Sequence, residues 1–283
     1  MNKLPDWWYR ISTITILNFL VLYELSKNQV FQDDSYFISL IGIYLFVSIF
    51  RSYYPKKEVE KVCLYDHFMS KPVVGRTIAT IAEISLILAL IHIFKEISFD
   101  IYQMNTNINF VLNITLILII VAQISCWMSV ITEHFLFNLV EESLWTITFT
   151  IYTIISAINF YNITESNPKL NHISLFCKLS IPLFITYVLY MLLIDLPLYS
   201  KKWNTIDKNK DKRITWNEFY NDIHKHLAEN SLYQKIMKIT NCSKFETSWE
   251  EWSDEVPWMI GYFVIIGWVL IILVLWYIQY KKL

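Results

Sequence analysis

The chain has 283 residues and a formal net charge of −1; 55% of its residues are apolar, 17% aromatic and 17% charged. That balance lies outside ordinary soluble domains and supplies no basic field for nucleic acid. Four glycines and seven prolines leave too little turn chemistry for a β-rich fold, so the expected class is an all-α polytopic membrane protein.

Apolar segments can be marked at 11–25, 36–53, 73–94, 109–131, 135–160, 173–199 and 258–280. A membrane-crossing helix needs about 20 residues, which predicts about seven spans. The first segment is short and borders Arg10, so six spans is the alternative. No Gly or Pro interrupts Phe110 to Phe160, and the turn between the fourth and fifth segments is expected at Thr132-Glu133-His134, where the charges fall. This organises the chain as a bundle over 1–199, a polar segment over 200–256 and a last membrane helix over 257–283. The cysteines Cys63, Cys126, Cys177 and Cys242 form no CxxC pair, and buried free thiols are expected rather than a disulfide framework.

Orientation is read from Lys and Arg in short loops. The 51–76 loop holds Arg51, Lys56, Lys57, Lys61, Lys71 and Arg76, which predicts a cytosolic face. The amino terminus and the 200–256 segment are then cytosolic, and Asn162-Ile163-Thr164 is the accessible glycosylation sequon. A heptahelical receptor places its amino terminus outside, and a retinal protein needs a lysine in its last span, which 258–280 lacks. Neither class fits.

Ionisable residues inside spans are expensive and usually face the bundle interior. Arg76, Thr80 and Glu83 follow i, i+4, i+7 on the third span, one helical face. Gln123 lies on the fourth with Ser125, Cys126 and Ser129 close by; His134, Asn138, Glu141 and Glu142 lie on the fifth; Asp195 ends the sixth. These groups are expected at one depth, as an ion or proton path or as a network that fixes helix register. Arg76 is the natural counter-charge, and His134 is placed to exchange protons with the aqueous side. Asp66-His67 could join His134 and the glutamates as a metal site. The six histidines form no HExxH motif, and no GxSxG occurs, so no enzyme signature is evident.

The stretch Asp207-Lys-Asn209-Lys-Asp211-Lys-Arg213-Ile-Thr215-Trp-Asn-Glu218 resembles the calcium loop of the EF-hand family. The resemblance implies ligation of Ca²⁺ by Asp207, Asn209, Asp211, the Arg213 carbonyl, Thr215 and Glu218. Lys212 stands where the family carries Gly. The expected fold therefore has a cytosolic EF-hand-like helix-loop-helix between the sixth and seventh spans. A single hand implies a partner, so a homo-oligomer or a larger membrane complex is expected beside the lipid bilayer. After it, Glu250, Glu251, Asp254 and Glu255 interleave with Trp249, Trp252 and Trp258; the tryptophans read as an interfacial belt and the acids as partners for the basic 51–76 loop.

Together these features favour a calcium-regulated ion channel or transporter with a buried carboxylate layer. The alternatives are a membrane-embedded metal- or proton-dependent enzyme on a lipid-like substrate, and a non-catalytic calcium-responsive scaffold.

Overall fold

A computed structural model describes residues 4–29, 34–102, 106–163, 167–205, 217, 220–221 and 239–283. Helices α1 (Asp6–Leu25), α2 (Ser35–Tyr53), α3 (Pro72–Tyr102), α4 (Thr106–Thr132) and α5 (Phe135–Asn162) each pack on the next. Helix α6 (Pro168–Tyr190) passes through a π-helical turn, Met191–Asp195, into α7 (Leu196–Thr205). After α8 (Trp249–Trp252), α9 (Glu255–Met259) continues through a second π-helical turn, Ile260–Ile265, into α10 (Ile266–Lys281).

Among the described residues, six stretches are long and apolar enough to cross a membrane: Ser35–Tyr53, Pro72–Tyr102, Asn107–Thr132, Phe135–Asn162, Pro168–Trp203 and Glu255–Lys281. The protein is thus a helical, multi-pass membrane protein. Helix α1 is a further long helix, with Asp6, Arg10 and Glu24 along it. The turn between α4 and α5 falls where the charges lie, and Glu133 takes the left-handed conformation there (φ 60°), paired with Lys61.

One face of α1 (Ile11, Thr15, Asn18, Leu22) is buried against α2 and the last span, the i, i+4, i+7, i+11 spacing of a helical stripe. Thr15 Oγ1 lies 2.8 Å from Ser52 Oγ. Small residues let membrane helices approach closely, and Gly267 does so here. A Cβ at Gly267 would collide with Asn18 Nδ2 and come within 3.4 Å of Leu45. Gly267→Ala is expected to lower stability by about 1–3 kcal/mol, the usual range for overpacking, measured as melting in detergent. An unchanged melting temperature would mean that α1 is not held against α10.

The 54–71 connection and the segment before α8 form a small cap. Strands β1 (Lys56–Lys57), β2 (Val62–Cys63) and β3 (Lys244–Phe245) build a sheet in the order β1-β2-β3, with β1 antiparallel and β3 parallel to β2. Below it lies a second core of Trp8, Ile11, Val62, Leu64, Trp252, Val256, Met259 and Phe263. Two expectations are corrected here. Cys63 and Cys242 are disulfide-bonded, while Cys126 and Cys177 are free and buried; the parallel β2–β3 pairing that joins the first two is a long-range contact with no local pattern. The tryptophan belt is corrected at Trp252, which is fully buried and donates to the Glu246 carbonyl (2.8 Å); Trp249 is exposed, and Trp258 is half-buried and stacks on Tyr262. The acids of 250–255 do meet the basic connection, since Lys57 Nζ lies 2.8 Å from Asp254 and 3.4 Å from Glu251.

Candidate functional site: a charged cluster heading an apolar cavity

Beneath the cap, α3, α4 and α5 bring their polar faces together. Arg76 and Glu83 lie two turns apart on α3, and Arg76 Nη2 donates to Glu83 Oε1 at 3.0 Å and to Gln123 Oε1 at 2.7 Å. Gln123 Nε2 donates to the other Glu83 oxygen at 2.5 Å. Arg76 Nη1 donates to Cys126 Sγ at 2.7 Å and lies 3.8 Å from Glu141 Oε1. Asn138 Nδ2 reaches Glu141 Oε2 at 3.4 Å. Arg76, Glu83, Gln123, Asn138 and Glu141 are all buried, and a planar guanidinium suits such forked contacts. Between the same two helices, α3 and α4, Trp127 donates to Thr80 at 3.2 Å.

Two members escape a reading of the spans. Arg51, at the end of α2, donates to Glu58 at 3.1 Å and lies 3.9 Å from Glu83. Glu58, from the cap, also lies 3.6 Å from Arg76. Arg51 also rests over the rings of Trp258, Phe263 and Tyr262, at 5.3, 5.6 and 5.9 Å. Local sequence cannot reveal that Glu58, amid the charges of a loop, turns inward.

The cluster is the head of a cavity of about 510 Å³. Its charged end is lined by Glu58, Arg76, Glu83, Glu141 and Glu142, with Asp195, Lys202 and Glu255 at the cap side. The rest is mostly hydrocarbon and aromatic, formed by Leu90, Phe149, Phe184, Val269, Leu273 and Trp276, with Ser180 and Thr186 among them. Leu179, Leu183, Ile265 and Ile272 line the cavity and are also exposed on the bundle's outer surface; the cavity therefore opens sideways between α6 and α10. Both π-helical turns contribute, through Met191 and Asp195 on one side and Gly261, Tyr262 and Ile265 on the other. Such widened turns occur often at functional sites. The first has a local cause: Pro197 lacks an N–H and its ring crowds the carbonyl four residues back.

Of the expected polar residues, Arg76, Glu83, Gln123, Asn138 and Glu141 form one network, and Glu142 and Asp195 line the same cavity. His134 is buried at the start of α5, outside the cavity lining. Asp66 and His67 are exposed; His67 stacks on Tyr54 and accepts from the Met69 amide (3.1 Å), so they do not join the glutamates. The calcium ligands expected from sequence, Asp207, Asn209, Asp211, Arg213, Thr215 and Glu218, lie outside the described residues. So do His224 and His226.

In the cap, charge is set by burial and pairing. Burial alone would raise the Asp254 carboxyl, but its bond to Lys57 overrides this and holds it below the usual value. Lys56 has no such partner at its amine, which donates to the Met69 and Lys71 carbonyls at 2.9 and 3.2 Å. Burial lowers its pKa from 10.5 to about 7, partly offset by Glu58. Between those values the unfolded chain holds a proton that the folded chain lacks, so stability rises with pH. Unfolding measured from pH 7 to 10 is expected to show this slope, and Lys56→Met to flatten it. An identical slope in the variant would assign it to other groups.

Comparison with protein-family models, curated proteins and solved structures finds no match for this chain.

Proposed function

We propose that this protein binds an amphiphile with a positively charged amine head and one long apolar tail, the head at Glu141 and Glu142 and the tail running toward Trp276. The polarity gradient along a single cavity carries this reading. Ligand sites are mostly apolar with a few placed polar groups, and the sideways opening suits a ligand that arrives from the bilayer. Seven carboxyl groups face five cationic groups around the lining, and one of the five, Lys56, spends its amine on backbone carbonyls. The surplus favours a cationic head. A permeating ion needs oxygen ligands or water along its route, and the stretch lined by Phe149, Phe184, Leu273 and Trp276 supplies hydrocarbon. The amphiphile reading therefore stands ahead of a channel or transporter.

The test is thermal stabilisation by dodecylamine against dodecanoate in a mild detergent. Dodecylamine is expected to raise the melting temperature saturably, and Glu142→Gln to weaken the response. Equal responses to both amphiphiles, or none to either, would discard the reading.

A second reading rests on the loop Asp207–Glu218. Calcium there would act on α7, whose Lys202 bonds Glu60 (3.1 Å) and lies 3.8 Å from both Asp254 and Glu255 beneath the cap. A calcium titration followed by tryptophan fluorescence is expected to saturate, and to fail in Asp207→Ala/Glu218→Gln. A response that survives in the double variant would remove calcium at this loop from the function.

Orientation has two opposed indicators. The basic 51–76 connection favours the cytosol for the cap, whereas disulfides persist in oxidising compartments. Arg51, Lys57, Lys61 and Arg76 are each buried and paired with an acid, and Cys63–Cys242 ties the cap to itself. The disulfide supports the oxidising side more strongly. In sealed membranes, Cys63 and Cys242 should take a membrane-impermeant thiol tag only after external or lumenal reduction. Tagging from the cytosol without reductant would return the cap to that side.

A further inference from the structure

At the other end of α2 from the cap, three metal-binding side chains converge away from the cavity. Asp34 starts α2, its Oδ1 accepting from the Phe37 amide at 3.4 Å. His92 and Glu96 lie one turn apart on α3. His92 Nε2 sits 3.0 Å from Asp34 Oδ2 and 3.7 Å from Glu96 Oε1. One ligand atom from each residue lies within 4.8 Å of the other two. The Tyr277 hydroxyl bonds the same Asp34 oxygen and lies 3.3 Å from His92 Nε2. Lys281 Nζ reaches Glu96 Oε1 at 2.6 Å.

The bland account is an Asp–His–Tyr hydrogen-bonded network beside a Lys–Glu ion pair. It leaves Glu96 Oε2 buried with no hydrogen-bond partner, and it crowds two carboxylates around one imidazole. An unsatisfied buried oxygen is costly, and a cation between the three side chains would serve it and both carboxylates at once.

We propose that Asp34, His92 and Glu96 form a site for a divalent transition-metal ion, with Zn²⁺ the best fit. Zinc is held by imidazole and carboxylate together, and three protein ligands with a fourth position left to water is a common set. The imidazole disfavours Mg²⁺ and Ca²⁺, which prefer all-oxygen shells. The Tyr277 hydroxyl faces the ligand atoms of both Asp34 and His92, so it turns aside as the ion enters. Lys281 competes for Glu96, so the ion displaces it and ties the start of α2 to the end of α3. This site is independent of the amphiphile cavity.

The full-length protein, stripped with a chelator, is titrated with Zn²⁺ by calorimetry and by melting. The expected result is saturable binding with a raised melting temperature, lost in His92→Asn. Lys281→Ala removes a competitor and no ligand, and zinc should bind it more tightly than the wild type. This second variant keeps every ligand, so it carries the test even where His92→Asn folds poorly. No saturable zinc response in the wild type would overturn the proposal. A response unchanged in both variants would overturn it too, by placing the metal elsewhere.

Discussion

Arg76→Met is expected to destabilise the protein by about 3–5 kcal/mol, the range found when one partner of a buried ion pair is removed. Arg76 is the shared donor for Glu83 and Gln123 and lies close to Glu58 and Glu141. Without it, Glu83 and Glu141 lose their nearest cation and Glu58 its second, with Arg51 left beside Glu58 and Glu83. The loss arises mainly from acids stranded without compensation rather than from the bonds themselves. The double variant Arg76→Met/Glu83→Met should therefore recover part of it, because a buried pair replaced as a whole by apolar residues is often nearly neutral. Melting in one detergent for the wild type and the two variants decides the matter. A double variant less stable than the single would show that Glu83 is held chiefly by Gln123.

Gly261→Trp is expected to weaken amphiphile binding by at least about tenfold in affinity (about 1.4 kcal/mol), with stability held. A Cβ at Gly261 meets no atom within 4 Å, and the residue lines the cavity beside Tyr262 and Ile265. The indole would grow into space that the fold leaves to the ligand. Glycine within a helix carries an entropic penalty of about 0.5–1 kcal/mol relative to alanine, so the replacement has no built-in loss to overcome. Retention of dodecylamine and melting temperature are read on the same sample. Undiminished retention would move the ligand out of this cavity.

What the chain discloses before folding is governed by range. The apolar runs of α2 to α6 and α10 are visible because a membrane demands long apolar stretches, and the turn at Glu133 because a charge falls there midway along a run too long for one span. Arg76 and Glu83 are legible as partners since i, i+7 on a helix returns to the same face. Gln123 and Glu141 followed from depth alone. Glu58, Arg51 and the Cys63–Cys242 bond were not legible, since each depends on where a connection folds back onto the bundle. The same holds for the cavity: Leu183 and Leu273 look like lipid-facing residues until α6 and α10 are set apart. The grouping at His92 is hidden in the sequence, because its companions Asp34 and Tyr277 lie far along the chain.

The disulfide has a consequence for how the molecule survives damage. Cys63 and Cys242 are 179 residues apart, and α3 to α7 all lie between them. A peptide bond broken anywhere within that interval leaves both fragments joined as one molecule, migrating together until reductant is added. A nick near Asp207 would thus free no fragment, and the last membrane helix would remain attached to the first.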